Sequence, residues 1–103
     1  MSDSYKAIVR VGDQITGTCN AHNHPINVTG VWTQGSGISD AEGKAMIRVS
    51  DIGEASCGHT FFGVSGSSVF FSEDKAIMRV GDPVNIQGGN GICVSGSEVS
   101  FTE

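Results

Sequence analysis

The chain has 103 residues, which suits one small domain, and 15 of them are glycine, about twice the usual share of ~7%. Its 6 basic and 11 acidic residues give a net charge of −5. This balance argues against a surface for nucleic acid or anionic membrane, because both partners select basic patches. No apolar run approaches the ~20 residues that a membrane span needs.

The N-terminal residues 1–6 contain no apolar stretch of the kind that forms a secretion signal. The three cysteines cannot all pair within one molecule. Without a signal for export to an oxidising compartment, free thiols or metal ligands are the better interpretation of these cysteines. We therefore expect one domain over residues 1–103, with a metal or a partner adding to the stability of its small core.

One octapeptide occurs three times, with Lys, Ala, Arg, Val and Asp at the same places in each copy. The copies are residues 6–13, 44–51 and 75–82, at spacings of 38 and 31 residues. Three matches of this length are very unlikely by chance, so the chain is an internal repeat.

Each copy of the octapeptide alternates in character. In the first copy Ala7, Val9 and Val11 point one way and the residues between them point the other. A period of two with a bias to β-branched residues predicts a strand with one buried face. The Gly-Asp or Ser-Asp that ends each copy is typical of a turn.

A second repeated stretch begins with a Gly-Ser pair, which precedes the Lys of the second and third octapeptides by the same distance. A third such pair near the C-terminus has no octapeptide after it. In this register Ile38, Val69 and Val99 correspond. These stretches also alternate, so each predicts a second strand.

The repeating unit is therefore strand, short turn, strand and long loop. The last strand, residues 97–101, lacks a following octapeptide, and the first octapeptide lacks a preceding strand. The simplest arrangement lets the two ends complete one unit between them. The sequence thus predicts an all-β fold in which three hairpin repeats close into a ring, which also removes exposed sheet edges.

In such a fold the three loops after Asp13, Asp51 and Asp82 lie at one end, and the short turns and both termini lie at the other. All histidines and cysteines fall in those three loops or at their edges: Cys19, His22 and His24 in the first, Cys57 and His59 in the second, and Cys93 in the third. Nitrogen and sulfur donors gathered from separate loops predict a metal site, for zinc or alternatively iron.

No single spacing matches a zinc finger, and each of these residues taken alone is as well explained as a surface histidine or a small buried cysteine. Two register matches stand out, since Cys19 and Cys57 each follow the repeat Asp by six residues, and His24 and Cys93 each follow it by eleven. A set that uses all three loops would tie the whole end together. The preferred ligands are His22, His24, His59 and Cys93, with Cys57 and Cys19 as reserves.

These features resemble the PAAR-repeat family over nearly the whole chain, from Lys6 to Phe101. Residues that match the family's inter-repeat pattern are Gly66-Ser67, Val69-Phe70, Lys75-Ala76, Arg79 and Gly81-Asp82. The chain departs from that pattern where Asn-Gly is replaced by Glu42-Gly43 and by Glu73-Asp74, and where the Pro after Lys is missing.

The resemblance implies a pointed cone of three β-hairpin repeats with a zinc or iron ion near its vertex, held by three His and one Cys. It implies that the base docks, one chain per trimer, on a trimeric β-helical spike, either VgrG-like or the central spike of a phage. Such a tip would touch the target membrane transiently. We expect the docking face to include the short turns, with residues Ser39, Asp40, Ala41, Glu42, Gly43, Ser72, Glu73 and Asp74.

The implied location is a virion tail tip or baseplate, or a type VI secretion apparatus assembled in the cytoplasm, and the short chain favours the phage tail. Two other functions stay open. A metalloenzyme would need a general base, for which Glu54 and Asp51 are the only acids near the second loop, so no enzyme is expected. A small free zinc-binding module would need no trimeric partner.

Overall fold

The computed structural model describes residues 5–103. Residues 1–4 lie outside the described part; they belong to the predicted domain and to the N-terminal stretch in which no secretion signal was found. The described residues form strands and turns, and they contain no helix long and apolar enough to cross a membrane. The strands are β1 (Lys6–Ala7), β2 (Gln14–Cys19), β3 (Ile26–Trp32), β4 (Asp40–Ala41), β5 (Lys44–Ala45), β6 (Ile52–Ala55), β7 (Thr60–Gly63), β8 (Phe71–Ser72), β9 (Lys75–Ala76), β10 (Pro83–Ile86), β11 (Gly89–Cys93) and β12 (Phe101–Thr102). The all-β prediction is confirmed.

A closed barrel forms the larger part of the molecule. Its six strands run in the order β10-β11-β2-β3-β6-β7, with every neighbouring pair antiparallel. Three hairpins build it, and each hairpin follows one octapeptide and replaces what the sequence predicted as a long loop. The hairpins differ in length, since their turns span residues 20–25, 56–59 and 87–88.

Three short strand pairs form the rest of the fold. Two of them, β4 with β5 and β8 with β9, are local hairpins that precede the second and third octapeptides. The third joins β1 to β12, with Lys6 opposite Thr102 and Ala7 opposite Phe101. The prediction that the two ends of the chain complete one unit is therefore confirmed.

The three octapeptides hydrogen-bond to one another in a cycle. The amide of Val9 donates to the carbonyl of Met78 (3.1 Å), that of Met78 to Ile47 (2.8 Å), and that of Ile47 to Val9 (2.9 Å). Three isolated bridges, Ile8 with Arg79, Arg10 with Met46 and Arg48 with Ile77, link the same segments. Only the first two residues of each octapeptide belong to a strand, namely β1, β5 or β9. The remaining residues of the octapeptides are joined by single hydrogen bonds and isolated bridges rather than by continuous strand ladders.

The prediction of one buried face per octapeptide is wrong, because both faces are covered. Val9, Ile47 and Met78 lie in the main core inside the barrel, together with Trp32 and Phe61. The residues that alternate with them, Ile8, Met46 and Ile77, form a second small core with Ala41 and Phe70. The cycle of octapeptides therefore separates two cores. The alternation of side chains along the sequence indicates two faces but does not show that both are buried.

The barrel is narrow, which explains much of the glycine content. Gly17 and Gly91 are cross-strand partners, and a Cβ on either would lie about 2.5–2.6 Å from backbone atoms of the neighbouring strand. At Gly53 a Cβ would lie 2.4 Å from the ring of Phe61, which packs edge-on against Trp32 with centroids 4.9 Å apart. Glycine thus leaves room for the two large rings in the core.

The Arg and Asp of each octapeptide form one compact unit. In the second copy the Asp51 carboxylate accepts the Arg48 backbone amide (2.7 Å) and both Nε (2.9 Å) and Nη2 (2.7 Å) of its guanidinium. Arg10 with Asp13 and Arg79 with Asp82 repeat this pattern. The Asp therefore does more than favour a turn, because it pairs with an arginine that is itself largely buried.

The serine of each Gly-Ser pair folds the stretch that follows it. The hydroxyl of Ser97 accepts the amides of Val99 (3.1 Å) and Ser100 (2.9 Å), and Ser36 and Ser67 accept the equivalent amides. Ser97 also donates to Glu42 (2.6 Å), whose carboxylate pairs with Arg10. These side-chain bonds replace ladder bonds, so the predicted strand of residues 97–101 is reduced to β12.

Candidate metal centre

Two neighbouring barrel hairpins bring four potential metal ligands together. Cys19 is the last residue of β2, and His22 lies in the turn that leads to β3. Cys57 and His59 lie in the turn between β6 and β7. Because β3 pairs with β6, the two turns lie side by side. We call these four residues the Cys–His cluster.

The donor atoms of the cluster, one from each residue, all lie within 4.8 Å of one another. Nδ1 of His59 is 3.5 Å from the sulfur of Cys57 and 3.8 Å from that of Cys19. The rings of His22 and His59 meet edge-on with centroids 5.0 Å apart. Ligand atoms of a tetrahedral zinc site are separated by about 3.3–3.8 Å, given bonds of ~2.0–2.3 Å, so the cluster needs little adjustment to hold such an ion.

The turns that carry the cluster are held by backbone bonds. The amide of Ala55 donates to the carbonyl of His59 (2.8 Å), and Gly58 between them adopts a positive φ of 90° that favours glycine. The amide of Asn20 reaches the carbonyl of Ile86 on the third hairpin (3.4 Å). Cys19 is buried, whereas His22, Cys57 and His59 are half-buried.

One orphaned polar atom favours a metal at this place. The Nε2 atom of His22 is buried and has no hydrogen-bond partner among residues 5–103. A buried ring nitrogen without a partner is costly, and coordination to a metal is one way to satisfy it. Two sulfur and two nitrogen donors suit zinc best and are also compatible with iron.

The Cys57 thiol differs from the other two. The neighbouring imidazoles of His22 and His59 lower the pKa of Cys57 to about 6, although partial burial acts the other way. Burial raises the pKa of Cys19, and burial together with the negative charge of Asp82 raises the pKa of Cys93 to about 12.

We expect iodoacetamide to label Cys57 of metal-free protein well below the pH at which an ordinary thiol reacts. Because the reactive species is the thiolate, the labelling rate should reach half its maximum near pH 6 at Cys57. Mass spectrometry of peptides after timed labelling measures this. Cys93 serves as the internal control and should stay unlabelled throughout; equal labelling of both residues at neutral pH would contradict the assignment.

The structure does not bring all the predicted ligands together. His22 and His59 belong to the cluster, but the two remaining places are taken by Cys19 and Cys57, which the sequence analysis held in reserve. His24 lies outside the cluster, exposed in the turn after β2, with Nδ1 near the carbonyl of Pro25 (3.5 Å).

Cys93 is a core residue at the other end of the barrel. It ends β11 opposite Ile15, four residues before Cys19 on β2, which places it about 13 Å away along the strand. It is fully buried in the main core with Trp32, and its amide donates to the carbonyl of Asp82. The matching offset of His24 and Cys93 was misleading because the first hairpin is longer than the third. The offset shared by Cys19 and Cys57 was the informative one.

The residues expected on the docking face are of two kinds. Ala41 and Ser72 are buried, since Ala41 packs in the second core and Ser72 bonds to Ser36 and Ser39 (2.8 Å each), so these two are not available for docking. Ser39 is half-buried, and the remaining residues, Asp40, Glu42, Gly43, Glu73 and Asp74, are exposed.

The glutamates of this face also act within the molecule. Glu42 pairs with Arg10 at 2.6 Å, and Glu73 pairs with Arg48 at 2.5 Å.

A set of exposed apolar side chains in the same segments was not predicted from the sequence. These are Ile38, Val69, Phe71, Val99 and Phe101, between 52% and 75% exposed, and we call them the exposed apolar set. Their equivalent places after the three Gly-Ser pairs were the available signal.

No protein-family model matches the chain. No curated protein matches it either.

Proposed function

We propose that this protein is a metal-stabilised tip that caps the trimeric β-helical spike of a contractile injection machine and sharpens it for piercing an envelope. The proposal follows the resemblance to PAAR-repeat proteins. The observation that supports it most is the cycle of three octapeptides, in which each copy bonds to the other two and the chain ends close the third unit. In this proposal the three units taper into a cone, with the Cys–His cluster toward its vertex.

Pseudo-threefold organisation supports a threefold partner. A surface that repeats one contact three times can match a trimer with a single chain. The exposed apolar set has this character, because Ile38, Val69 and Val99 occupy equivalent places and are 75%, 61% and 69% exposed. Phe71 and Phe101 are also equivalent, while Asp40 takes that place in the remaining unit. A trimer that covered these equivalent side chains would bury the same apolar contact in each unit.

The distribution of charge supports contact with an envelope. The three barrel hairpins, residues 14–32, 52–63 and 83–93, carry one formally charged side chain, Glu54. The lysines, the arginines and the other acids all lie in the octapeptides, the short pairs and the segments around them. A barrel with almost no charge loses little hydration energy when it meets the apolar part of a membrane.

The donor set supports a structural metal rather than a catalytic one. Four protein donors fill a tetrahedral site, whereas catalytic zinc keeps a position for water. Asp51, one of the two acids considered as a general base, is 1% exposed and engaged by Arg48. A metal at this place would link two neighbouring hairpins, so its binding would add to folding stability.

The experiment is to mix the purified protein with a trimeric spike fragment from the genome that encodes it, and to determine the complex mass by light scattering. We expect one chain per trimer. No complex at micromolar concentration would count against the tip function and favour a free zinc-binding module. A complex with a phage tail spike or with a secretion spike would decide between the virion and the type VI apparatus.

Within that complex, Val69→Glu is expected to weaken binding by at least about tenfold, because it places a charge among side chains that the partner would cover. Ile92→Glu is the matched control, since Ile92 is 47% exposed on the barrel strand β11 and should lie outside the contact. Isothermal titration calorimetry on both variants measures the effect. Equal loss in the two variants would argue against docking through the exposed apolar set.

A further inference from the structure

The two cysteines of the Cys–His cluster are close enough to react with each other. Their sulfurs belong to the donor atoms that all lie within 4.8 Å of one another, and both residues are free thiols in the structure. A disulfide needs a sulfur separation of about 2.05 Å, so one side chain has to turn toward the other. Cys57 lies in a four-residue turn, residues 56–59, between short strands, which makes it the partner better placed to move.

The two thiols differ in access. Cys19 is completely buried at the end of β2, while Cys57 is half-buried in its turn. A reagent in solution can therefore meet Cys57 first, and the sulfur of Cys19 reaches only its neighbours inside the cluster. Cys93 takes no part, because it is completely buried at the other end of the barrel. This is the arrangement of an accessible attacking thiol beside a buried resolving thiol.

We propose that Cys19 and Cys57 form a thiol–disulfide exchange site, which a small disulfide converts into an intramolecular bond in the metal-free protein. The Cys57 thiolate attacks one sulfur of the reagent, forms a mixed disulfide and releases the first reagent thiolate. Cys19 then gives up its proton and attacks the Cys57 sulfur, which releases the second reagent thiolate. Two protein thiols are oxidised and one reagent disulfide is reduced to two thiols.

This bond would join the same two hairpins that a metal would join. Metal and disulfide exclude each other, because a sulfur in a disulfide no longer offers the thiolate that a zinc ion binds. A bound metal in turn occupies both sulfurs and shields them from exchange. The hairpins can thus be linked in a reducing compartment by metal and in an oxidising one by the covalent bond. The inference needs no spike partner, so its failure and that of the tip function are separate results.

The test uses full-length protein treated with a chelator, then oxidised glutathione, then mass spectrometry without reduction. We expect the protein to lose two hydrogen atoms in mass, to keep one titratable thiol, and to yield a peptide pair joined through Cys19 and Cys57. The oxidised form should also melt at a higher temperature than the reduced metal-free form. Protein incubated with zinc chloride before the oxidant should react at least tenfold more slowly.

Three variants make the order of events visible. Cys19→Ser should keep glutathione on Cys57 as a stable mixed disulfide, Cys57→Ser should take up almost none, and Cys93→Ala should behave as the unmodified protein does. A disulfide that includes Cys93, dimers linked between chains, or persistent glutathione on both Cys19 and Cys57 would overturn the proposal. So would a metal-free protein that keeps all three thiols under these conditions.

Discussion

Cys57→Ala is expected to abolish stoichiometric zinc binding, whereas Cys93→Ala is expected to preserve it. Cys57 lies within the Cys–His cluster, 3.5 Å from Nδ1 of His59, while Cys93 lies in the barrel core. Removing one of four donors leaves a three-coordinate site that opens to water, which weakens a structural zinc strongly. Elemental analysis after gel filtration gives the metal content of each variant directly.

The same comparison should appear in thermal stability. With free zinc at about a thousand times its dissociation constant, zinc that binds only the folded state adds ~4 kcal/mol. For a domain of this size each kcal/mol shifts the melting temperature by about 4–8 °C, so zinc should raise it by roughly 15–30 °C. Cys57→Ala should lose this response. Cys93→Ala should melt at a lower temperature from the small cavity and still respond to zinc. The opposite outcome would restore Cys93 as a ligand.

Most of what the sequence predicts about the fold comes from the octapeptide repeat. Five residue types recurring in register indicated strands, and the mismatch between the two ends of the chain indicated that β1 and β12 pair. Both conclusions depend only on repetition and on the alternation of side chains. Repetition and alternation do not predict how the side chains pack. Ile8 and Val9 are both buried, and only the three-dimensional arrangement shows that they belong to different cores.

The candidate site was harder because it depends on hairpin length. Residues at equal distance from the repeat Asp coincide in space only while the hairpins keep the same register. Cys19 and Cys57 satisfy this, because each lies at or just after the end of the first strand of its hairpin. Cys19 is the last residue of β2, and Cys57 lies two residues after the end of β6. His24 and Cys93 do not, because residues 20–25 form a longer turn than residues 87–88. Turn length is set by local chemistry that the repeat does not share.

The glutamates of the short turns were also beyond the reach of sequence pattern. Glu42 and Glu73 look like solvated turn residues, yet each reaches an arginine more than twenty positions away. A partner at such a distance is visible only once the octapeptides are arranged in their cycle. The acidic turns therefore hold neighbouring units together, and the exposed apolar set remains as the better candidate for contact with another protein.

Asp51→Ala is expected to destabilise the fold by about 3–5 kcal/mol, the usual cost of removing one partner of a buried ion pair. The Asp51 side chain is 2% exposed and that of Arg48 is 11% exposed. The guanidinium would stay largely buried after losing two hydrogen bonds, and the Arg48 backbone amide would lose a third. Glu73 would retain its contact with Arg48 but could not replace the bond to the Arg48 backbone amide. Urea denaturation followed by circular dichroism measures the loss.

Glu54→Ala is the matched control, because Glu54 is an exposed acid three residues along the same segment and should change stability by less than ~0.5 kcal/mol. Asp13→Ala and Asp82→Ala should resemble Asp51→Ala, since each Asp binds its arginine in the same way. A loss at Asp51 no larger than at Glu54 would mean that the repeated Arg–Asp pair does not stabilise the fold. A loss of similar size at all three positions would instead show that the fold depends equally on each of its units.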